Sequence, residues 1–174
     1  MTRCGIGPEF SIVSVLSGIV AGMLTYLYPD QLTIQCIPYW YFAAFGIGFL
    51  VLGSVIYVHS LRRFNCLYKK RQLATDGPYS IVRHPIYAAW ILLIGPGIIL
   101  FFRSWPMLFV PLITYASFKT SIHKEDKYLE KKFGRTYTNY RKTVNELFPS
   151  RKFWKDLPDL CLRICGNILS WRKS

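Results

Sequence analysis

Two stretches of this 174-residue chain, 10–28 and 37–58, run for 19 and 22 residues without a single Asp, Glu, Lys or Arg. At 1.5 Å per helical residue each can cross a hydrocarbon core of about 30 Å. Two further uncharged stretches, 86–102 and 104–118, are 17 and 15 residues long and are separated only by Arg103. They read as a helical hairpin with Arg103 snorkelling to the far interface. Pro96, Pro106 and Pro111 should kink that hairpin, which a bilayer tolerates where neighbouring helices cover the freed carbonyls. The expected fold is all-α: a polytopic membrane protein of about four transmembrane helices (10–28, 37–58, 86–102 and 104–118) with a cytoplasmic C-terminal helical region.

Charge sets the orientation. The chain carries 22 Lys plus Arg against 9 Asp plus Glu, a formal +13, beside 52% hydrophobic residues. Disorder does not fit that apolar content, and a nucleic-acid partner does not fit such long uncharged runs. Twenty of the 22 basic residues fall in two blocks, 59–85 and 119–174; only Arg3 and Arg103 lie elsewhere. The positive-inside bias places both blocks on the cytoplasmic side, with both termini there and Trp40, Tyr41, Trp90 and Trp105 near span ends. The first span is too long for a cleavable signal. The localisation expected is an integral, multi-pass one, in a bacterial inner membrane or the endoplasmic reticulum. An anionic leaflet is the expected lipid partner, with no nucleic acid.

Five cysteines at scattered spacing, Cys4, Cys36, Cys66, Cys161 and Cys165, make neither a disulfide framework nor a zinc site, and no metal is expected. Palmitoylation of Cys66 or Cys4 is open. Gly95-Pro96-Gly97 lies inside a span, so it reads as a bend or a close helix contact and not as a phosphate loop.

Two segments ask for a chemical explanation. In Asp-Gly-Pro-Tyr-Ser-Ile-Val-Arg-His-Pro-Ile-Tyr, 76–87, the first three residues signal a turn and Pro85 suits the first turn of the next helix. Arg83 and His84 then stand at the membrane boundary beside a helix N-terminus, a place suited to an anion. They serve equally as a positive flank and a neutral cap. In 123–140, Ile122, Leu129 and Phe133 fall within about 40° of one another on a helix, with Asp126 at the edge of that stripe and Glu125 about 60° from its centre. Gly134 ends the helix. Two carboxylates thus turn toward a buried face, where each needs a cation. A protein arginine such as Arg83 and a ligand ammonium are both open.

Together these segments resemble the isoprenylcysteine carboxyl methyltransferase and phospholipid methyltransferase superfamily: Gly77 to Tyr87, a helical hairpin, then Lys-Glu-Asp at 124–126, Leu129, Phe133-Gly134, Tyr137, Tyr140, Val144 and Pro149. The likeness covers about 71–149. It implies S-adenosyl-L-methionine as cofactor, held at the cytoplasmic face by Arg71, Gln72, Leu73 and Ala74, by Tyr79, by His84, Pro85, Ile86 and Tyr87, and by Glu125. It implies transfer of a methyl group to a lipid or lipidated acceptor, of the prenylcysteine carboxylate or phospholipid amine type, with Arg83, Glu125 and Asp126 as the catalytic candidates. Glu125 would take the cofactor ammonium, and the span's N-terminus with His84 and Arg83 its carboxylate. The chain departs from the family at two points. Asp126 stands where Glu is usual, and Ser121 stands where the prenylcysteine enzymes hold the substrate carboxylate with an arginine; Lys119 and Lys124 are nearby.

On this reading 1–149 is the membrane methyltransferase domain, with its cofactor region at 71–149. Residues 150–174 form a basic amphipathic tail lying in the interface, or else packed on the catalytic region. Two other functions fit parts of the pattern. A sterol-reductase-like enzyme using NADPH would share the Arg-His-Pro and Phe/Tyr-Gly pattern. A non-catalytic protein could bind anionic lipid or a partner through its basic side.

Overall fold

In the computed structural model, which describes residues 7–149, the chain is helical, and the described residues contain no strand beyond one isolated bridge between Thr33 and Ser104. Helix α1 spans Gly7–Leu27, a single turn α2 spans Pro29–Leu32, and α3 spans Tyr39–Lys69. After the turn α4 (Pro78–Ile81), a broken rod runs from α5 (Pro85–Ala89) through a π-helical turn (Trp90–Ile94) into α6 (Gly95–Leu100). A 3-10 turn at Pro106–Phe109 leads into α7 (Val110–Phe133), and α8 covers Arg135–Thr143. The tail expected at 150–174, with Cys161 and Cys165, and Cys4 lie outside the described residues. Cys36 and Cys66 are exposed free thiols.

The membrane character lies in α1 and α3. Both are long and apolar enough to cross a bilayer. On α1, Ile12, Val15, Leu16, Ile19, Val20 and Met23 each leave more than half of their surface uncovered, as do Phe45, Ile47, Val51, Leu52 and Val55 on α3. At about 25 cal/mol per Å² such faces are costly in water and cost nothing against lipid tails. The third rod, Pro85–Leu100, is shorter than a full span. The expected fourth stretch, 104–118, begins as a 3-10 turn and continues as α7 well past its uncharged part.

Pro96 explains the broken rod. It has no N–H to offer the carbonyl one turn back, and the ladder widens to a π turn just before Gly95-Pro96. Gly97 makes the close helix contact expected of Gly-Pro-Gly. A Cβ there would sit 3.1 Å from the Gly46 carbonyl of α3, and one on Gly46 would meet the Phe101 ring at 2.9 Å. Only hydrogens fit between these backbones.

Arg103 sits at the tip of the hairpin, between α6 and the 3-10 turn. It lies at φ 48 between the two arms of the hairpin, and its guanidinium donates to the carbonyl of Ile34 at 2.7 and 3.1 Å and to that of Ile37 at 2.9 Å. Its own carbonyl accepts from Ile34 N–H at 2.7 Å. The α1–α3 connection and the hairpin tip are therefore latched together, with Thr25 and buried Ser104 sharing a 2.5 Å hydroxyl contact beside the latch. Trp90 stands in the π turn, packed against the core cluster that includes Phe10, Ile91, Phe118 and Ile122. That cluster lies at the other end of the bundle from the latch, where the basic blocks meet.

Candidate functional site

At the basic end, the last turns of α3, the start of α1, the 71–87 segment, α7 and α8 surround a cavity of about 640 Å³, a size usual for small-molecule sites. The lining repeats at helical spacing. On α3 it is Tyr57, Leu61, Phe64, Asn65 and Tyr68, and on α7 it is Glu125, Tyr128, Leu129, Lys132 and Phe133. Between them stand Phe10, Trp90 and the residues singled out at 71–87.

The 76–87 segment is shaped turn by turn. Gly77 sits at φ 60, ψ −130, a conformation closed to residues with a Cβ, and lets Pro78 open α4. Asp76 pairs with Arg63, tying that turn back to α3. Tyr79 is buried and its carbonyl accepts a 2.5 Å bond from the Tyr140 hydroxyl of α8. The chain then extends, and the N–H groups of Arg83 and His84 bond to the carbonyls of Asn145 (2.7 Å) and Glu146 (3.1 Å). Pro85 opens α5. The segment after α8 is thereby strapped over Arg83 and His84, with Leu147 buried in the core beneath it.

The two carboxylates of α7 part company here. Asp126 is buried and accepts from Arg83 Nη1 at 3.1 and 3.2 Å and from the Tyr137 hydroxyl. Arg83 also meets Glu146 at 3.3 Å, and Glu146 meets Lys119 at 2.5 Å. Burial alone would raise the Asp126 carboxyl, but His84, the Tyr137 hydroxyl and the Arg83 charge together hold it well below the usual carboxylate range. Burial, and then the Asp126 carboxylate, push the Tyr137 phenol up; burial does the same for Tyr79 and Tyr140, so all three are neutral hydroxyls. Glu125, in contrast, lines the cavity, half-buried, and accepts a 3.0 Å bond from the Tyr87 hydroxyl.

Of the residues expected to hold a cofactor, Arg71, Gln72, Leu73, Ala74, Tyr79, His84, Ile86, Tyr87 and Glu125 all line this cavity; Pro85 is buried behind it. Of the catalytic candidates, Arg83 and Glu125 line it and Asp126 does not. Asp126 belongs to a buried ion-pair network. Arg83 is tied to that network through Nη1 and Nη2, while its buried Nε has no hydrogen-bond partner among the described residues. His84 does not cap α5 with its side chain. Its ring stacks on Tyr87 at 5.8 Å, and its buried Nε2 lacks a hydrogen-bond partner among the described residues, with Asp126 at 3.6 Å. Sequence reasoning missed the roles of Tyr137 and Tyr140, whose spacing of three places both on one face of α8. It also missed the wall from α3.

A set of this kind suits a ligand with both charges and a flat apolar part. Glu125 can meet an ammonium, the tyrosine rings a sulfonium or a heteroaromatic ring, and His84 or Arg71 a carboxylate. A sequence model of the isoprenylcysteine carboxyl methyltransferase family matches residues 47–131. Protein-S-isoprenylcysteine O-methyltransferase B of Arabidopsis thaliana is 28% identical over 116 residues, which cover 61% of this chain and 58% of that protein. The protein-S-isoprenylcysteine O-methyltransferase of Tribolium castaneum is 30% identical over 155 residues, covering 82% and 52%. Among solved structures, the eukaryotic intramembrane Ras methyltransferase superposes with a TM-score of 0.60 at 22% identity, over 86% of this chain and 54% of that one. The chain thus spans a little over half the length of these relatives.

Proposed function

The chain belongs to the isoprenylcysteine carboxyl methyltransferase superfamily, and from that premise we propose that it transfers a methyl group from S-adenosyl-L-methionine to a lipid-anchored carboxylate of the prenylcysteine type at the cytoplasmic face of its membrane. The observation that carries this reading is Glu125: a half-buried carboxylate in the cavity wall, positioned by Tyr87, while its neighbour Asp126 is taken up by Arg83. The cofactor would be held by Glu125 at its ammonium, by His84 and Arg71 at its carboxylate, and by Tyr79 and the 71–74 backbone along its length.

When bound, S-adenosylmethionine supplies an electrophilic methyl group on a sulfonium. A carboxylate acceptor is already ionised, so the protein has to align it and exclude water. No proton has to be moved. The aromatic walls from Phe10, Tyr57, Phe64 and Trp90 provide a dry, apolar lining for the acceptor's lipid part. The topology we propose has four membrane crossings, with the Arg103 latch on the far side and both termini on the cavity side.

A phospholipid amine is the second reading, and position 121 favours it. Ser121 donates to Glu9 at 2.9 Å and is not part of the cavity wall, so this chain has no arginine there to hold a carboxylate. The test is calorimetry in neutral detergent with S-adenosylhomocysteine and, separately, NADPH. Micromolar binding of the first and none of the second is expected. Binding of NADPH alone would support a reductase, and binding of neither would end both enzyme readings.

A further inference from the structure

Five of the residues lining the cavity are exposed: Tyr68, Arg71, Gln72, Tyr128 and Lys132. They lie at the last turn of α3, just beyond it and on α7, so this is the mouth, the route by which anything attached to an acceptor's head group leaves the site toward water. Apart from Asn65, Arg83, His84 and Glu125 the inner wall is largely apolar, and the mouth is basic.

Its two charged members are unusual. Lys132 Nζ hangs 5.3 Å from the Phe133 ring, 5.7 Å from Tyr68 and 5.9 Å from Tyr128, so it reaches from α7 across to α3. Arg71 adopts φ 56 at the position following the C-cap of α3, the left-handed place that helices normally give to glycine. Lys69, Lys70 and Lys131, all exposed, stand immediately beside them in the chain.

Among the described residues none of these five cations is in an ion pair. The carboxylates nearby are taken: Asp76 by Arg63, Asp126 by Arg83, Glu146 by Arg83 and Lys119, and Glu9 by Lys124. Glu130 accepts a hydrogen bond from Thr138. Among the described residues, the mouth therefore gathers five cations with no ion-pair partner.

We propose that this mouth selects acceptors by the charge that flanks the methylated group: lipid-anchored carboxylates with an acidic or uncharged flank are accepted, and those with a polybasic flank are turned away. The inference rests on the methyltransferase reading but makes its own claim about the substrate class. A cationic rim with low-dielectric walls raises the local concentration of anionic ligands and lowers that of cationic ones. Such steering changes association by factors of ten to a thousand at low salt and fades as salt screens it.

The experiment uses the full chain in uncharged detergent with three acceptors: N-acetyl-S-farnesylcysteine, a farnesylated peptide with three glutamates before its C-terminal cysteine, and the same peptide with three lysines. At low ionic strength kcat/KM for the glutamate peptide should exceed that for the lysine peptide by about tenfold, shrinking to within about threefold at high salt. Peptide binding followed by fluorescence anisotropy should show the same order of Kd. Reversing the rim with Lys69→Glu, Lys70→Glu and Lys131→Glu together should invert that order and leave the thermal unfolding midpoint unchanged. Equal Kd values for the two peptides at low salt would overturn the rim assignment, whether or not methyl transfer occurs. The expected order of Kd with no methyl transfer to any acceptor would keep the rim assignment and overturn the methyltransferase reading.

Discussion

Arg83 and Asp126 meet across 43 residues of sequence, one guanidinium nitrogen contacting both carboxylate oxygens at 3.1 and 3.2 Å where neither side chain reaches water. Such a pair is weak as a source of stability and expensive to break, because either partner alone becomes a buried, uncompensated charge. Asp126→Ala should destabilise the protein by about 3–5 kcal/mol, read as a fall in the thermal unfolding midpoint in detergent. The double variant Arg83→Met with Asp126→Leu should lose less than Asp126→Ala alone. A double variant losing the sum of both single losses would show that the two residues act independently.

The same carboxylate sets an acid limit. Its folded pKa is lowered, so its contribution is complete above the pKa of an unfolded aspartate, about 3.9, and is lost as pH falls through and below that value. Unfolding midpoints measured from pH 7 down to pH 3 should fall more steeply for the wild type than for Asp126→Asn. Parallel curves would assign the acid sensitivity to other groups.

Glu125 and Tyr87 should behave as ligand and support. Removing a charged hydrogen-bonding partner costs about 1.5–3 kcal/mol, so Glu125→Ala should weaken S-adenosylhomocysteine binding by roughly tenfold to a hundredfold. Tyr87→Phe removes only the 3.0 Å bond that positions the carboxylate and should weaken it by about threefold to tenfold. Calorimetry on both variants checks the order. A larger loss for Tyr87→Phe than for Glu125→Ala would make the Tyr87 hydroxyl itself the main contact.

At the far end, Arg103→Ala should cost on the order of 2 kcal/mol, since the carbonyls of Ile34 and Ile37 lose a charged donor. Hydrogen exchange should then rise in 28–38 and 101–106 and stay unchanged around the cavity. Uniform loosening of the whole bundle would mean that the latch supports more than the two loops it joins.

Arg71→Gly should raise the unfolding midpoint, because glycine relieves a left-handed conformation worth about 1–2 kcal/mol for a residue with a Cβ. Gly46→Val should lower it by about 1–3 kcal/mol, since its side chain would run into Phe101 and the Gly97 carbonyl. Opposite signs at these two positions are the expected outcome of one melting series.

Much of this architecture was legible in the uncharged stretches and in the helical spacing around Glu125 and Asp126. The helical spacing alone did not say which of the two carboxylates faces the cavity, because they lie only 100° apart and the choice depends on where Tyr137 docks; it was the family resemblance that named Glu125. That docking follows from Gly134, at φ 54, turning the chain from α7 into α8. The Arg103 latch was hidden because its partners are backbone carbonyls, which leave no trace in a sequence. Gly97 announced a close contact without naming Gly46 as its other half. The α3 wall was hidden because a lipid-facing helix and a cavity-facing one draw on the same residue types.

The strap over Arg83 and His84 bears on how the protein is made. The long helices α1 and α3 precede the 83–84 segment in the chain, while the carbonyls that complete it belong to Asn145 and Glu146. A ribosome therefore threads the long helices into the bilayer well before the pocket can close around its last two peptide groups. A chain arrested before residue 145 would carry both long helices with an unfinished pocket, exposed in that interval to whatever small anions and lipids surround it.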